Sequence, residues 1–157
     1  MLRFRVIVVD RTRSPFLREG ERFYLERLRR YVKTEWMEVK PARMTKGRPP
    51  EEAMREEGQA LLKRIREQDF LVPLDRSGTE YDSLELADWL GRLAERSSGT
   101  VCFLVGGALG HSREVLKASG KVLSLSRLTL THEMTRLVLL EQLYRACTIL
   151  EGENYHK

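Results

Sequence analysis

Thr100-Val101-Cys102-Phe103-Leu104-Val105-Gly106-Gly107-Ala108-Leu109-Gly110 holds the architecture of this chain in miniature. Its apolar run has no polar alternation and breaks off at a glycine-rich turn. That pattern describes a strand buried on both faces, which is characteristic of parallel sheets covered by helices. The turn leads into a short helix from about Ser112. Downstream, Lys121 to Leu125 reads as a last strand and Ser126 to Thr131 as an irregular stretch. A long helix follows from about His132 to Leu150, and then a polar tail, Glu151 to Lys157.

Upstream, Phe70 to Asp75 reads as a short strand ending in a turn at Ser77-Gly78. Asp82-Ser83-Leu84-Glu85 opens a helix with a capping box, and that helix ends by Gly99. Leu2 to Val9 is an interior strand. Ser14-Pro15 then supplies an N-cap and a proline at the first helical position of a helix to about Arg30, with Leu17, Tyr24, Leu28 and Tyr31 at helical spacing. Thr34 to Lys40 is a second strand and Pro41 to Pro50 a mobile loop. A second helix, with acids at its positive end, runs from Pro50 to about Glu67. Strands and helices therefore alternate, which calls for an α/β fold: one domain over 1–157 with a largely parallel sheet covered on both faces. Ligands in such folds bind beyond the carboxyl ends of the strands. The segments in question are Asp10 onward, Leu74 to Gly78, Gly106 to Gly110 and Ser126 to Thr131.

Charge is unevenly placed. Residues 1–48 hold 14 Lys/Arg against 6 Asp/Glu, while residues 49–157 hold 14 against 17. Basic charge concentrated in one part of a fold suits a phosphate-backbone partner, and a solvated helix face explains it as well. No apolar stretch is long enough to span a bilayer, and the first residues lack a signal-peptide layout, so a cytoplasmic address is expected. Cys102 and Cys147 lie in a strand and a helix with no Cys/His cluster about them, so no metal is expected and both read as small core residues.

Local motifs exclude more than they assign. Gly106-Gly107-x-x-Gly110 lacks the dinucleotide spacing and follows a late strand, which disfavours a nicotinamide-dependent oxidoreductase. Gly120-Lys121 is not a P-loop. His132-Glu133-Met134-Thr135-Arg136 has arginine where a zinc-binding helix needs its second histidine. No G-x-S-x-G elbow is present. Asp10 and Asp75 each end a strand, but the acidic pair of a phosphoacceptor receiver is missing. The long helix carries Leu137, Leu140, Tyr144 and Cys147 on one side, a face that suits either the chain's own sheet or a second copy.

Four ordered blocks carry a resemblance: Leu104 to Gly110, Leu123 to His132, Arg136 to Ala146, and the closing Tyr155-His156-Lys157. Together they resemble the pseudouridine N3-methyltransferases of bacterial large-subunit ribosomal RNA, a SPOUT-class family. Length and element order agree over essentially the whole chain. The chain departs from the family at Thr131, where proline is frequent, and at Ala108-Leu109, where polar residues are usual.

The resemblance implies a SPOUT-type parallel sheet whose C-terminal part is threaded into a trefoil knot, and a homodimer with its site near the subunit interface. It implies S-adenosyl-L-methionine as cofactor, contacting Leu74, Gly106, Leu125, Ser126, Arg127, Leu128, Thr129 and Leu130. The implied substrate is large-subunit ribosomal RNA within the assembled 70S ribosome. N3 of a base is a poor nucleophile while protonated, so a proton acceptor is needed, and His132 or His156 suits that role. Arg145 suits charge on the base carbonyls or a phosphate, and Tyr155 suits stacking on a flipped base. The alternative is a non-enzymatic RNA-binding or ribosome-associated factor on the same fold.

Overall fold

A computed structural model describes residues 2–96 and 99–157. Five strands, β1 (Arg3–Val9), β2 (Lys33–Val39), β3 (Phe70–Glu80), β4 (Val101–Val105) and β5 (Leu123–Ser124), form one sheet in the order β2-β1-β4-β3-β5. Every pairing is parallel, with Val6 and Val72 both in register with Phe103. The apolar run that suggested a strand covered on both faces is β4, at the centre.

Each face has its own core. Phe4, Val6, Val8, Val72, Phe103 and Val105 point to the side covered by α1 (Pro15–Leu28), α3 (Ser83–Arg96) and α5 (His132–Leu150). Ile7, Val9, Leu71, Cys102 and Leu104 point to the side covered by α2 (Pro50–Leu62) and α4 (Arg113–Ala118). Val101 to Val105 thus supply both cores by simple alternation. Truncating the fully buried Phe103 to Ala would cost about 3–5 kcal/mol. Both cysteines are buried and unlinked. No described helix is long and apolar enough to cross a membrane.

Several boundaries differ from the sequence reading, each for a local reason. α2 stops at Leu62, short of Glu67, because the chain must turn to carry Asp69 inward. The Asp69 carboxylate accepts from the Arg66 N–H at 2.8 Å and pairs with the guanidinium of Arg5, itself 1% exposed. β3 does not end at Ser77-Gly78 but continues to Glu80, with a register shift against β5 between Leu74 and Thr79. β5 is only two residues long, since the N–H groups of Gly120 and Lys121 both reach the Leu71 carbonyl instead of a ladder. Ser14 occupies the N-cap position of α1 but caps nothing with its hydroxyl. The loop before α2 is braced: Arg48 donates to the Arg43 carbonyl at 2.7 Å and to Glu56 at 3.2 Å.

Elsewhere the local signals hold. Asp82 and Glu85 form the reciprocal capping box, with both bonds at 2.8 Å. α5 spans His132–Leu150 as its pattern predicts. The expected stop of α3 at Gly99 falls across residues 97 and 98, outside the described residues.

Candidate active site

Beyond the carboxyl ends of β3 and β4 lies a cleft of about 650 Å³, within the range of small-molecule sites. Three segments build it: the middle of β3 from Leu74 to Arg76, just past its pairing with β4, the glycine turn from Gly106 to Gly110, and residues 123–126 and 128–132 leading into α5. The glycine turn folds back on itself. Gly110 donates to the Gly107 carbonyl at 3.1 Å and sits at φ +80°, a left-handed conformation that side chains resist. A Cβ on Gly106 would lie 3.1 Å from the Gly110 carbonyl carbon, so a side chain there would crowd this turn.

The opposite wall is irregular backbone held by side chains. The Ser126 hydroxyl accepts from the Leu128 N–H at 3.0 Å, and Arg76 donates to the Thr129 hydroxyl at 3.0 Å, tying this wall to β3. The peptide groups of Arg127, Thr129 and Leu130 take part in no hydrogen bond among the described residues. Backbone groups left open beside a cleft are available to a ligand. Leu74, Leu125 and Leu130 add apolar surface, and Leu128 stands 75% exposed at the mouth.

α5 begins in this wall. Thr131 caps it, its hydroxyl accepting from the Met134 N–H at 3.1 Å, so threonine secures the helix start at the position where the resembled family has proline. His132 is therefore not the cap; it lines the cleft at the first helical turn. Glu133 accepts from the backbone N–H groups of Arg13 at 2.7 Å and Ser14 at 3.1 Å, and these bonds hold its carboxyl below the usual range. One turn further, the fully buried Arg136 donates to the Val9 carbonyl at 2.5 Å and to Thr12 at 2.9 Å. Glu133 and Arg136 thus pin the segment after β1 to the start of α5. The sequence reading passed over both as functional residues, though their spacing of three at a helix start puts them on one face.

His111 is another residue not foreseen. It is buried at the base of the cleft, where Nε2 donates to the Leu104 carbonyl at 3.0 Å, leaving Nδ1 as an acceptor without a partner among the described residues. Burial pushes its pKa down, so the ring is neutral.

Of the residues assigned to the cofactor, Leu74, Gly106, Leu125, Ser126, Leu128, Thr129 and Leu130 converge on the cleft. The Arg127 side chain does not; it is 88% exposed and 4.0 Å from Glu80. The residues assigned to catalysis divide into two groups. His132 is in the cleft, while Arg145 lies thirteen residues along α5, about 20 Å away. There Arg145 pairs with Glu141 at 2.5 Å, packs 4.7 Å from the Tyr155 ring and donates to His156 Nδ1 at 3.4 Å. The Tyr155 hydroxyl donates to Glu141 at 3.2 Å, and burial together with its bond to Tyr24 raises its pKa, which keeps the phenol neutral. The Glu153 carboxylate anchors the tail on the hydroxyl of Tyr31, whose pKa that bond raises to about 12. The tail is docked on its own helix, away from its own cleft. The described residues contain no cluster of His, Cys, Asp and Glu suited to a metal ion.

Residues 2–156 match the family model described as "Predicted SPOUT methyltransferase", and the chain belongs to that family. Fold similarity agrees: the tRNA (m1G37) methyltransferase of Aquifex aeolicus superposes with a TM-score of 0.56 at 15% identity, over 99% of this chain and 73% of that one. More particularly, the chain is 40% identical over 155 residues to the ribosomal RNA large subunit methyltransferase H of Trichlorobacter lovleyi, covering 99% of each. It is 43% identical over 156 residues to the protein of the same name from Anaeromyxobacter sp. (strain Fw109-5), covering 99% of this chain and all of that one.

Proposed function

We propose that this chain methylates N3 of a pseudouridine in large-subunit ribosomal RNA, using S-adenosyl-L-methionine, and acts on the assembled ribosome as a cytoplasmic homodimer. One observation carries the reading: open peptide groups at Thr129 and Leu130 line an apolar-walled cleft together with a glycine turn. The names of the full-length relatives support the ribosomal substrate. Family membership supports a trefoil knot in the C-terminal part of the sheet.

The residues present fit the cofactor. An adenosine with an amino-acid tail needs apolar walls and free N–H and C=O groups rather than a phosphate cradle. Leu74, Leu125 and Leu130 would flank the adenine, the open peptide groups would take its polar edges, and Gly106 would let backbone approach closely. When bound, the cofactor supplies an electrophilic methyl group on a sulfonium.

What the protein adds is position and proton handling. Holding the base in line with the methyl group supplies much of the rate. The N3 proton passes to His132 at the cleft wall or to His156 of the tail, and the neutral Tyr155 stacks on the flipped base. Arg145 offers positive charge to the base carbonyls as N3 loses its proton. Because one chain keeps Tyr155 and His156 about 20 Å from its own cleft, the tail completing each site belongs to a second copy. Leu128, 75% exposed at the cleft, and Phe16, 67% exposed next to the cleft-lining Leu17, suit coverage by that copy.

Isothermal titration with S-adenosyl-L-methionine separates this reading from a non-enzymatic RNA-binding factor. The enzyme binds the cofactor, and Gly106→Leu abolishes that binding. A well-folded protein that takes up no cofactor refutes the methyltransferase.

A further inference from the structure

A second concavity, of about 400 Å³, lies between α1 and β2. Arg18 and Arg22 on α1 and Arg29 at its C-cap flank it along one stripe with Leu25 between them, spaced by four, three and four residues. Arg11 joins from the segment after β1, and the half-buried Trp36 lines the groove from β2. All four arginines are exposed, and none of their guanidinium groups has an acid within 4.0 Å or a hydrogen bond among the described residues.

Their isolation is informative because acids are near. Glu21 also lines the groove, but it is only 7% exposed and its carboxylate accepts from Thr12 at 2.5 Å beside the buried Arg136. Glu26 and Glu38 line the groove, exposed and forming no ion pair among the described residues, so four arginines face three acids. Arg18 and Arg22 stand four residues apart on a helix, where like charges repel. This surface accepts that cost and neutralises none of its guanidinium groups internally. Its complement is a chain of regularly spaced anions.

The groove and the cleft draw on the same stretch of chain. Ser14 and Leu17 line the cleft, while Thr12 and Arg18, their near neighbours, line the groove. A polymer with one unit in the cleft would have the arginines at the start of α1 close at hand. We propose that the α1–β2 groove holds the phosphodiester backbone of the RNA strand flanking the nucleotide in the cleft, through Arg11, Arg18, Arg22 and Arg29. This inference rests on the RNA substrate of the proposed function and adds where the strand lies.

The test compares wild type with the triple variant Arg18→Gln, Arg22→Gln, Arg29→Gln, all exposed positions that leave the core untouched. The probe is ribosomes from cells lacking this protein, with affinity measured across a series of KCl concentrations alongside methyl transfer and the sedimentation of free protein. The expected variant binds ribosomes at least about tenfold more weakly at 0.1 M KCl. Its log–log salt slope is shallower by about 2–3, since each lost phosphate contact removes about 0.7–0.9. Its KM rises while cofactor affinity holds. If wild type transfers methyl and the variant binds with unchanged affinity and slope, the groove assignment is wrong and the enzymatic reading stands. If wild type transfers nothing but the variant still loses affinity and slope, the groove assignment stands and the enzymatic reading fails. A variant altered only in its self-association makes the groove a contact between copies and overturns the assignment.

Discussion

Tyr155 and His156 sit on the far half of α5 from the cleft, and their substitution tests what the tail does. Tyr155→Ala or His156→Ala should reduce methyl transfer by two orders of magnitude or more, about 10²-fold, while cofactor affinity stays within about twofold. Full turnover in both variants would leave the tail without a catalytic role. Glu57 offers a test of stability at a single side chain. It is buried beneath the glycine turn, where Oε2 accepts from the Ala42 N–H at 3.0 Å and Oε1 has no partner among the described residues. Burial, with nearby Glu56 and Asp10, raises its pKa. A raised acid pKa means the fold favours the neutral form, so the contribution to stability is full below the unfolded value and lost as pH rises through the folded one. Glu57→Gln should therefore raise the melting temperature at pH 8, with the gain shrinking toward pH 4. A melting temperature lowered at both pH values would contradict this.

At the scale of elements, the ion pair between Arg5 and Asp69 joins the centre of the sheet to the turn that ends α2. Asp69→Ala leaves a guanidinium 1% exposed with only Glu35, at 2.9 Å, to answer it. The expected loss is about 3 kcal/mol in urea unfolding, and a change under 1 kcal/mol would show the pair to be dispensable. This same residue explains why α2 was misjudged. Helical pattern and propensity continue to Glu67, and only a partner 64 positions away takes the chain out of the helix. β3 and β5 were misread for a similar reason, since a register shift between two parallel strands leaves no trace in either strand alone. What was legible was local: the apolar run of β4, the Asp82–Glu85 box, and the bounds of α5. In the cleft, the glycine turn and residues 125–130 were legible through the family blocks. Glu133 and His111 were not, because their bonds to Ser14 and Leu104 exist only after folding.

For the whole molecule, the account requires two copies to make one working site. Mixing Gly106→Leu subunits, which lack a usable cleft, with Tyr155→Ala/His156→Ala subunits should restore activity to about a quarter of wild type. Random exchange makes half the dimers mixed, each with one intact site. No recovery after demonstrated exchange would place cleft and tail in the same chain. The basic first third, whose unpaired arginines gather along α1, should make activity fall steeply with salt. The most direct measurement is transfer of labelled methyl from S-adenosyl-L-methionine to ribosomes isolated from cells lacking this protein, with the product identified by nucleoside mass spectrometry. The account predicts N3-methylpseudouridine in large-subunit RNA. Label on any other nucleoside would contradict the substrate, and no label at all would contradict the enzyme.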